Sequence, residues 1–433
     1  MRVLVLGAAV SGLAAARLAR RAGHVASVYD SNTDRLGEII SLGAAALVGE
    51  WDSDHLTGVD LVITSPGFPE RSAPITDAYE AGVPVVTEFE WGWEQLDVDK
   101  TVAVTGTNGK TTVTGLIADM LDASGVDAAA MGNIGVAVSD AVAGPPEVAV
   151  IEVSSAQLQL TRSFRPDVAV VTNVEVDHVD WHGSAEAYRR AKAMIVARQR
   201  PSDVVVFSSG DPGATAVAES GASRRIGVDQ HTMSGNGFGG DDESISIAGE
   251  RLSRDELSAP PGPFVQNLLL AAAAALQAGA ETGPVMDVAR RFTPGAHRQH
   301  LIATIGSVRY VDDSKATNPH AALAAISSYG SVVLIAGGQS KGLDIASLAR
   351  HPNVKALIAM GESAGVLCDA APDMSHHVES MEAAVALAAR LAEPGDVVLL
   401  SPGGASWDMF DSYIHRGQVF AAAVEAVAAR SAS

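Results

Sequence analysis

Short aliphatic and β-branched runs recur along the chain at residues 3–6, 26–30, 60–65, 101–106, 147–153, 167–173 and 203–207. Three more follow at 331–338, 354–361 and 396–404. Most are continuous rather than alternating, the pattern of strands buried on both faces of a parallel sheet. Ala/Leu-rich stretches with helical spacing lie between them, for example 10–22, 111–124, 184–199 and 379–392. Strand–helix alternation predicts α/β sheets with right-handed crossovers. Three blocks separate. The first, 1–97, ends in the acidic, tryptophan-bearing EFEWGWEQLDVD, and a fresh strand opens at Thr101. The second, 98–294, ends at a Pro/Gly break, and the third is 295–433. Residues 229–262 are rich in Gly, Ser, Asp and Pro and predict a polar hairpin or loop excursion.

Composition narrows the function. The 433 residues are 47% hydrophobic and 19% charged, which excludes disorder as the main state. A net charge of −21 makes the chain a poor general partner for nucleic acid or anionic membrane. The longest apolar run, Leu268 to Leu276, is far short of the ~20 residues of a spanning helix. The N-terminal stretch has its arginines after the apolar residues and glycines within them, unlike a signal peptide. Cys368 is the single cysteine, so a reducing, cytoplasmic setting is expected.

The strongest chemical signal is VTGTNGKTTVTGLIADML at 104–121. A strand runs into Gly106, Thr107, Asn108, Gly109, Lys110, Thr111 and Thr112, then an amphipathic helix. Backbone N–H groups and the helix N-terminus there cradle phosphates. Lys110 would meet the β/γ-phosphates and the Thr111 hydroxyl would ligate Mg²⁺. The N-terminal strand–turn–helix keeps Gly7 and Gly12 of a G-x-G-x-x-G pattern but has Ala9 between them, with Asp30 closing the next strand. That reads equally as a Rossmann-like βαβ unit with or without a dinucleotide. LVITSPGFP brings Ser65 and Gly67 to a second strand end.

In the middle block Asn133, Glu152, Ser154, Ser155 and Gln157 stand at strand ends. A carboxylate closing an apolar strand, as Glu152 does, needs a cation if buried. Asp177, His178, Asp180 and His182 follow the strand at 167–173. Tyr188, Lys192 and Ile195 then fall at i, i+4 and i+7, which puts Lys192 on an apolar stripe. In the last block Arg298, Lys315 and Lys341 are cations at strand ends of an acidic chain, suited to carboxylates and phosphates.

TGTNGKTT, GNIG, E-x-SS-x-Q, TN-x₄-DH-x-D-x-HG, HR, DDSKATNP, GG-x-x-KG-x-D and SP-x-x-AS-x-D-x-F occur in that order. The sequence resembles the Mur ligases over nearly its whole length, and DDSKATNP with SPGGASWDMF resembles the D-glutamate-adding branch. The resemblance implies three α/β domains: an N-terminal Rossmann-like UDP-sugar domain (1–97), a central P-loop ATPase-like domain (98–294) and a C-terminal Rossmann-like amino-acid domain (295–433). It implies an ATP-dependent ligase, a monomeric enzyme of the cytoplasm, that joins D-glutamate to UDP-N-acetylmuramoyl-L-alanine through an acyl phosphate, with two Mg²⁺ ions.

By position, Ser11, Asp30, Ser31, Asn32, Ser65, Gly67, Asn133, Ser154 and Gln157 match UDP-sugar contacts. The loop 106–112, Asn267, Arg298 and Asp313 match ATP contacts. Thr111, Glu152, His178 and Lys192 match metal positions, with Lys110, His178 and Lys192 in catalytic roles and Lys192 carbamylated by CO₂. Lys315, Thr317, Lys341, Ser406 and Tyr413 match the D-glutamate pocket. Departures from the family pattern are Phe264 at an adenine-side Asn, Ala156 at a common Phe, and Asn32 at a frequently basic position. A nicotinamide-dependent oxidoreductase would leave the phosphate loop unexplained. A silent nucleotide-binding scaffold would leave the Lys110, Glu152, His178 and Lys192 set unexplained.

Overall fold

The continuous apolar runs form strands with hardly a break in their burial, so each is covered on both faces. The computed structural model describes residues 1–175, 177 and 179–431. These divide into two compact units. One comprises Met1–Leu257 with Gln266–Arg290, and the other comprises Ser258–Val265 with the chain from Arg291 onward.

The first unit contains two parallel sheets. Across the first, the strands run Ala45–Val48, Val25–Asp30, Arg2–Leu6, Leu61–Thr64, Val85–Thr87, a 3-2-1-4-5 order. The order reverses beside Arg2–Leu6, and a ligand crevice opens at the carboxyl ends of strands at such a point. Gly7 and Ser65 follow the two strands that flank it. Across the second sheet the order is Arg224–Val228, Val204–Ser208, Val168–Val171, Lys100–Thr105, Val148–Glu152, Ala128–Gly132, again all parallel. Lys100–Thr105 is therefore central, and the glycine loop leaves its carboxyl end.

The expected excursion at 229–262 holds a small antiparallel sheet of Gly239–Gly240, Ser244–Ile247 and Glu250–Ser253. Ile245, Ile247 and Leu252 are fully buried in it, which accounts for order in so polar a stretch.

The second unit is built on a mixed sheet in the order His300–Ile305, Val308–Asp312, Val397–Gly403, Val332–Gly337, Val354–Met360, Ser375–His377. Only the first pair is antiparallel. Apolar cores lie on both its faces, one containing Leu334, Leu357 and Leu399 and the other Ile335, Ile358 and Phe420. Among the described residues no helix is long and apolar enough to cross a membrane.

Candidate functional site

The glycine loop is shaped by its own packing. Gly106 has φ 152°, and a Cβ there would collide with Thr172 Oγ1. Gly109 has φ 84° and caps the helix Lys110–Ala123 from the left-handed region. A Cβ on it would lie 2.5 Å from Asn267 Oδ1, so the loop closes against Asn267. Thr107 N–H donates to the Asn173 carbonyl at 2.9 Å, and Asn108 N–H donates to Asn173 Oδ1 at 2.9 Å. Thr172 Oγ1 donates to the Asn108 carbonyl at 2.6 Å. Thr111 and Thr112 sit half-buried in the first turn of the helix, where N–H groups and the helix dipole favour anions.

Two lysines meet at one carbonyl of this loop. Lys110 Nζ donates to the Gly106 and Thr107 carbonyls at 2.9 and 3.0 Å. Lys192 Nζ donates to the same Gly106 carbonyl at 2.8 Å and to Thr105 Oγ1 at 3.4 Å. Lys192 is 1% exposed, as the apolar-stripe reading requires. Burial first, then the charge of Lys110, pull its pKa well below the usual lysine range, against Asp177 and Glu152. Tyr188, also buried, covers the ammonium with its ring at 4.9 Å. Its hydroxyl is 2.9 Å from Thr107 Oγ1. The sequence placed Tyr188 on the stripe but assigned it no role.

Glu152 is 2% exposed, so it is not a solvated strand end. Asn133 Nδ2 donates to Glu152 Oε1 at 2.8 Å. Oε2 is buried and, among the described residues, has no hydrogen-bond partner. An orphaned carboxylate oxygen near phosphate-binding N–H groups is a fitting ligand for a hard cation. Among the described residues no group of three or more His, Cys, Asp or Glu is gathered for a metal. His178 lies outside the described residues.

Ser154 and Gln157 form a reciprocal cap at the start of the helix Ser155–Gln159. Of the other residues expected on the UDP side, Ser11, Asp30, Ser31, Asn32, Ser65 and Gly67 lie at or just beyond the carboxyl ends of strands in the first sheet, while Asn133 follows a strand of the second. Asp30 Oδ2 accepts from Ala8 N–H at 2.7 Å, and Oδ1 from Asn32 N–H at 2.9 Å. A Cβ on Gly7 would lie 2.4 Å from Ser65 Oγ, and one on Gly12 would collide with the Gly7 carbonyl. Gly12 thus serves close packing of helix Val10–Arg21 on the turn, the role of the last glycine in this pattern. Ser11 is half-buried, and Ser31, Asn32 and Gly67 are exposed. One cleft is lined by Ser65 and Pro66 from this crevice and by Ala156 and Gln157 from the second sheet.

In the second unit, Lys315 Nζ lies 5.1 Å from the Tyr413 ring, and Lys315 N–H donates to the His297 carbonyl at 3.0 Å. Ser406 is buried, while Lys341 is exposed with φ 51°. Asp313 is buried: Ser401 Oγ donates to its Oδ2 at 2.7 Å and Gln299 N–H to its Oδ1 at 3.2 Å. Burial pushes its carboxyl up to about 7, with the Ser401 and Gln299 hydrogen bonds opposing the rise. Arg416, which the sequence analysis passed over, ties this site together. It donates to Ser314 Oγ, the Ser314 carbonyl and the Gly404 carbonyl at 2.9, 2.8 and 3.0 Å. Burial lowers its pKa to about 10. Ser314 lies 102 residues upstream and Gly404 12, and no local motif announces either.

Family models match most of the chain: "Mur ligase MurD-like, N-terminal domain" over 1–87, "Mur ligase middle domain" over 104–275, and "Mur ligase, glutamate ligase domain" over 297–404. A UDP-N-acetylmuramoylalanine–D-glutamate ligase of Pelotomaculum thermopropionicum is 39% identical, covering 97% of this chain and 96% of that protein. One from Frankia casuarinae is 40% identical over 98% and 94%. Among solved structures, MurF from Acinetobacter baumannii is similar in fold with a TM-score of 0.63 at 15% identity, covering 98% and 93% of the two chains.

Proposed function

The chain belongs to the Mur ligase family, and on that premise we propose that it is an ATP-dependent ligase of peptidoglycan synthesis that adds D-glutamate to UDP-N-acetylmuramoyl-L-alanine. The observation that carries this reading is near full-length similarity at 39–40% identity to ligases named for that reaction. An intact phosphate loop in the middle of the chain supports it.

A free carboxylate does not form an amide at a useful rate. ATP transfers its γ-phosphoryl group to the L-alanyl carboxylate, giving an acyl phosphate and ADP. The D-glutamate amine attacks that carbonyl, a tetrahedral intermediate forms, and phosphate leaves as the amide appears. Both steps gather negative charge, so preorganised N–H groups and Lys110 act by electrostatic stabilisation and positioning. Thr111 and Glu152 would hold one Mg²⁺, and His178 with a carbamylated Lys192 a second, the ions neutralising charge on the transferred phosphoryl group. The unpartnered Glu152 Oε2 supports the first assignment. The depressed Lys192 pKa supports the carbamate, because a neutral amine is the form that adds to CO₂.

The remaining roles in this reading follow the chain. Residues 1–97 bind the UDP-sugar through Ser11, Asp30, Ser31, Asn32, Ser65 and Gly67, joined by Asn133, Ser154 and Gln157. Residues 98–294 bind ATP through the loop 106–112 and Asn267. In 295–433, Lys315, Thr317, Lys341, Ser406 and Tyr413 hold D-glutamate. A monomer working in the cytoplasm completes the reading.

Phosphate release from ATP by the purified protein tests it. Release should require both UDP-N-acetylmuramoyl-L-alanine and D-glutamate. Equal release with either substrate omitted, or with D-alanine in place of D-glutamate, would overturn the assignment.

A further inference from the structure

The acidic, tryptophan-bearing stretch after the first sheet is absorbed by none of the roles above. It forms the helix Glu88–Trp93, which starts directly at the end of strand Val85–Thr87. Phe89 and Trp91 are two residues apart, so they project about 200° from one another around a helix. Phe89 is fully buried in the core beneath the second sheet, edge-to-face with Phe164 at 4.9 Å. Trp91 is packed into the core of the first sheet. One short helix is thereby anchored in two hydrophobic cores.

Its two carboxylates are buried without an ion pair among the described residues; backbone N–H groups satisfy them instead. Ser139 N–H, in the first turn of helix Val138–Ala141, donates to Glu88 Oε1 at 2.8 Å. Glu90 is 0% exposed, and its Oε1 receives three consecutive backbone N–H groups: Arg162 at 2.7 Å, Ser163 at 2.6 Å and Phe164 at 2.9 Å. Ser163 Oγ adds a fourth donor at 3.1 Å. A run of N–H groups converging on one anion is a strong, directional clamp. Gly92 brings the backbones together, since a Cβ there would lie 2.5 Å from Ser139 N.

The clamp ties together the two walls of one cleft. Thr87, which precedes the helix, pairs with Thr64, next to Ser65. The turn at 162–164 follows the helix that bears Gln157. Glu88 itself lines the cleft with Ser65 and Gln157.

We propose that the helix Glu88–Trp93 is a strut that fixes the spacing between the Ser65–Gly67 loop and Gln157, and that Glu90 is a positioning residue for the UDP-sugar substrate. The proposal rests on the assignment of those residues to the UDP-sugar site. Glu90 touches no substrate. It acts by holding the turn at 162–164, and through it Gln157, at the distance the diphosphate-sugar spans. Loss of the clamp widens one substrate's site and leaves the glycine loop and the second unit intact.

The test uses the full-length enzyme with the substitutions Glu90→Ala and Glu90→Gln. Calorimetric binding of UDP-N-acetylmuramoyl-L-alanine to the unaltered protein comes first. No binding there defeats the site assignment, and this proposal with it. Given binding, Glu90→Ala should weaken it about tenfold and raise KM for that substrate to match, because small misplacements of positioning groups are costly. KM for ATP and for D-glutamate should stay within about twofold. Glu90→Gln retains one acceptor oxygen and should restore most of the affinity, and it carries the same test if Glu90→Ala does not fold. Unchanged affinity in a folded variant, or an equal rise in all three KM values, overturns the proposal while leaving the site assignment standing. Failure of both variants to fold marks the clamp as a folding element and also overturns it.

Discussion

Lys192 shows how one residue's chemistry depends on what surrounds it. An ammonium buried at 1% exposure, sharing the Gly106 carbonyl with Lys110, is disfavoured both by lost hydration and by like charge. The neutral amine is nucleophilic. Addition to CO₂ forms an N–C bond, releases a proton and leaves an anion suited to a hard cation. Mass spectrometry under native conditions should find the protein heavier by one CO₂, with the increment on Lys192. Lys192→Ala should be nearly inactive and partly restored by small added carboxylates; full activity from a protein shown to carry a bare lysine would refute the carbamate. Lys110 makes a different case. It is half-buried and donates to the Gly106 and Thr107 carbonyls of its own loop. Lys110→Ala should cut turnover by at least about 10²–10³, the usual cost of removing a group that stabilises transition-state charge. Near-normal turnover with an unchanged circular dichroism spectrum would rule out the phosphate role.

At the scale of elements, helix ends carry much of the site, and their polar groups are satisfied by unusual partners. The helix Lys110–Ala123 begins at a left-handed glycine with its first N–H groups turned toward the loop. The helix Glu88–Trp93 instead buries two carboxylates against other backbone N–H groups. Burial pushes the Glu88 carboxyl up to about 7 from 4.5, with the Ser139 bond opposing the rise. A carboxyl whose folded pKa is raised holds its proton more tightly in the folded state. The linked stability is therefore fully present below about 4.5 and lost as pH rises through about 7. Glu88→Gln keeps the shape and removes the titration. Relative to Glu88→Gln, the parent protein should lose on the order of 3 kcal/mol between those limits. Urea midpoints of both proteins at pH 5 and pH 8 check this, and parallel slopes with pH would contradict it.

Across the whole molecule, each of the two units carries cations where its sheet ends, within a chain of net charge −21. In the second unit Arg416 knits the turn at Ser314 to the loop at Gly404, bringing order to the segments that bear Lys315 and Ser406. Lys341 is exposed, and in the proposed reading it meets a carboxylate of D-glutamate. Lys341→Ala should raise KM for D-glutamate by about tenfold or more and that for ATP far less, as expected on losing one charge-assisted bond. Steady-state kinetics with each substrate varied in turn decides the matter, and a change confined to ATP would remove Lys341 from the pocket. By itself the sequence determined the parallel strands, because continuous β-branched runs have few other stable uses, and the phosphate loop, because its glycines, lysine and helix are contiguous. Helical periodicity likewise sufficed to turn Lys192 inward. Short strands such as Ala45–Val48 and Ala128–Gly132 escaped it, since alanine-rich runs carry no strand signature and form strands only beside a neighbour. Tertiary structure alone decided that Glu88, Glu90 and Asp313 are buried and that Arg416 holds Ser314. A charged residue goes inside only where distant donors or acceptors meet it, and that meeting is a property of the folded chain rather than of any stretch of it.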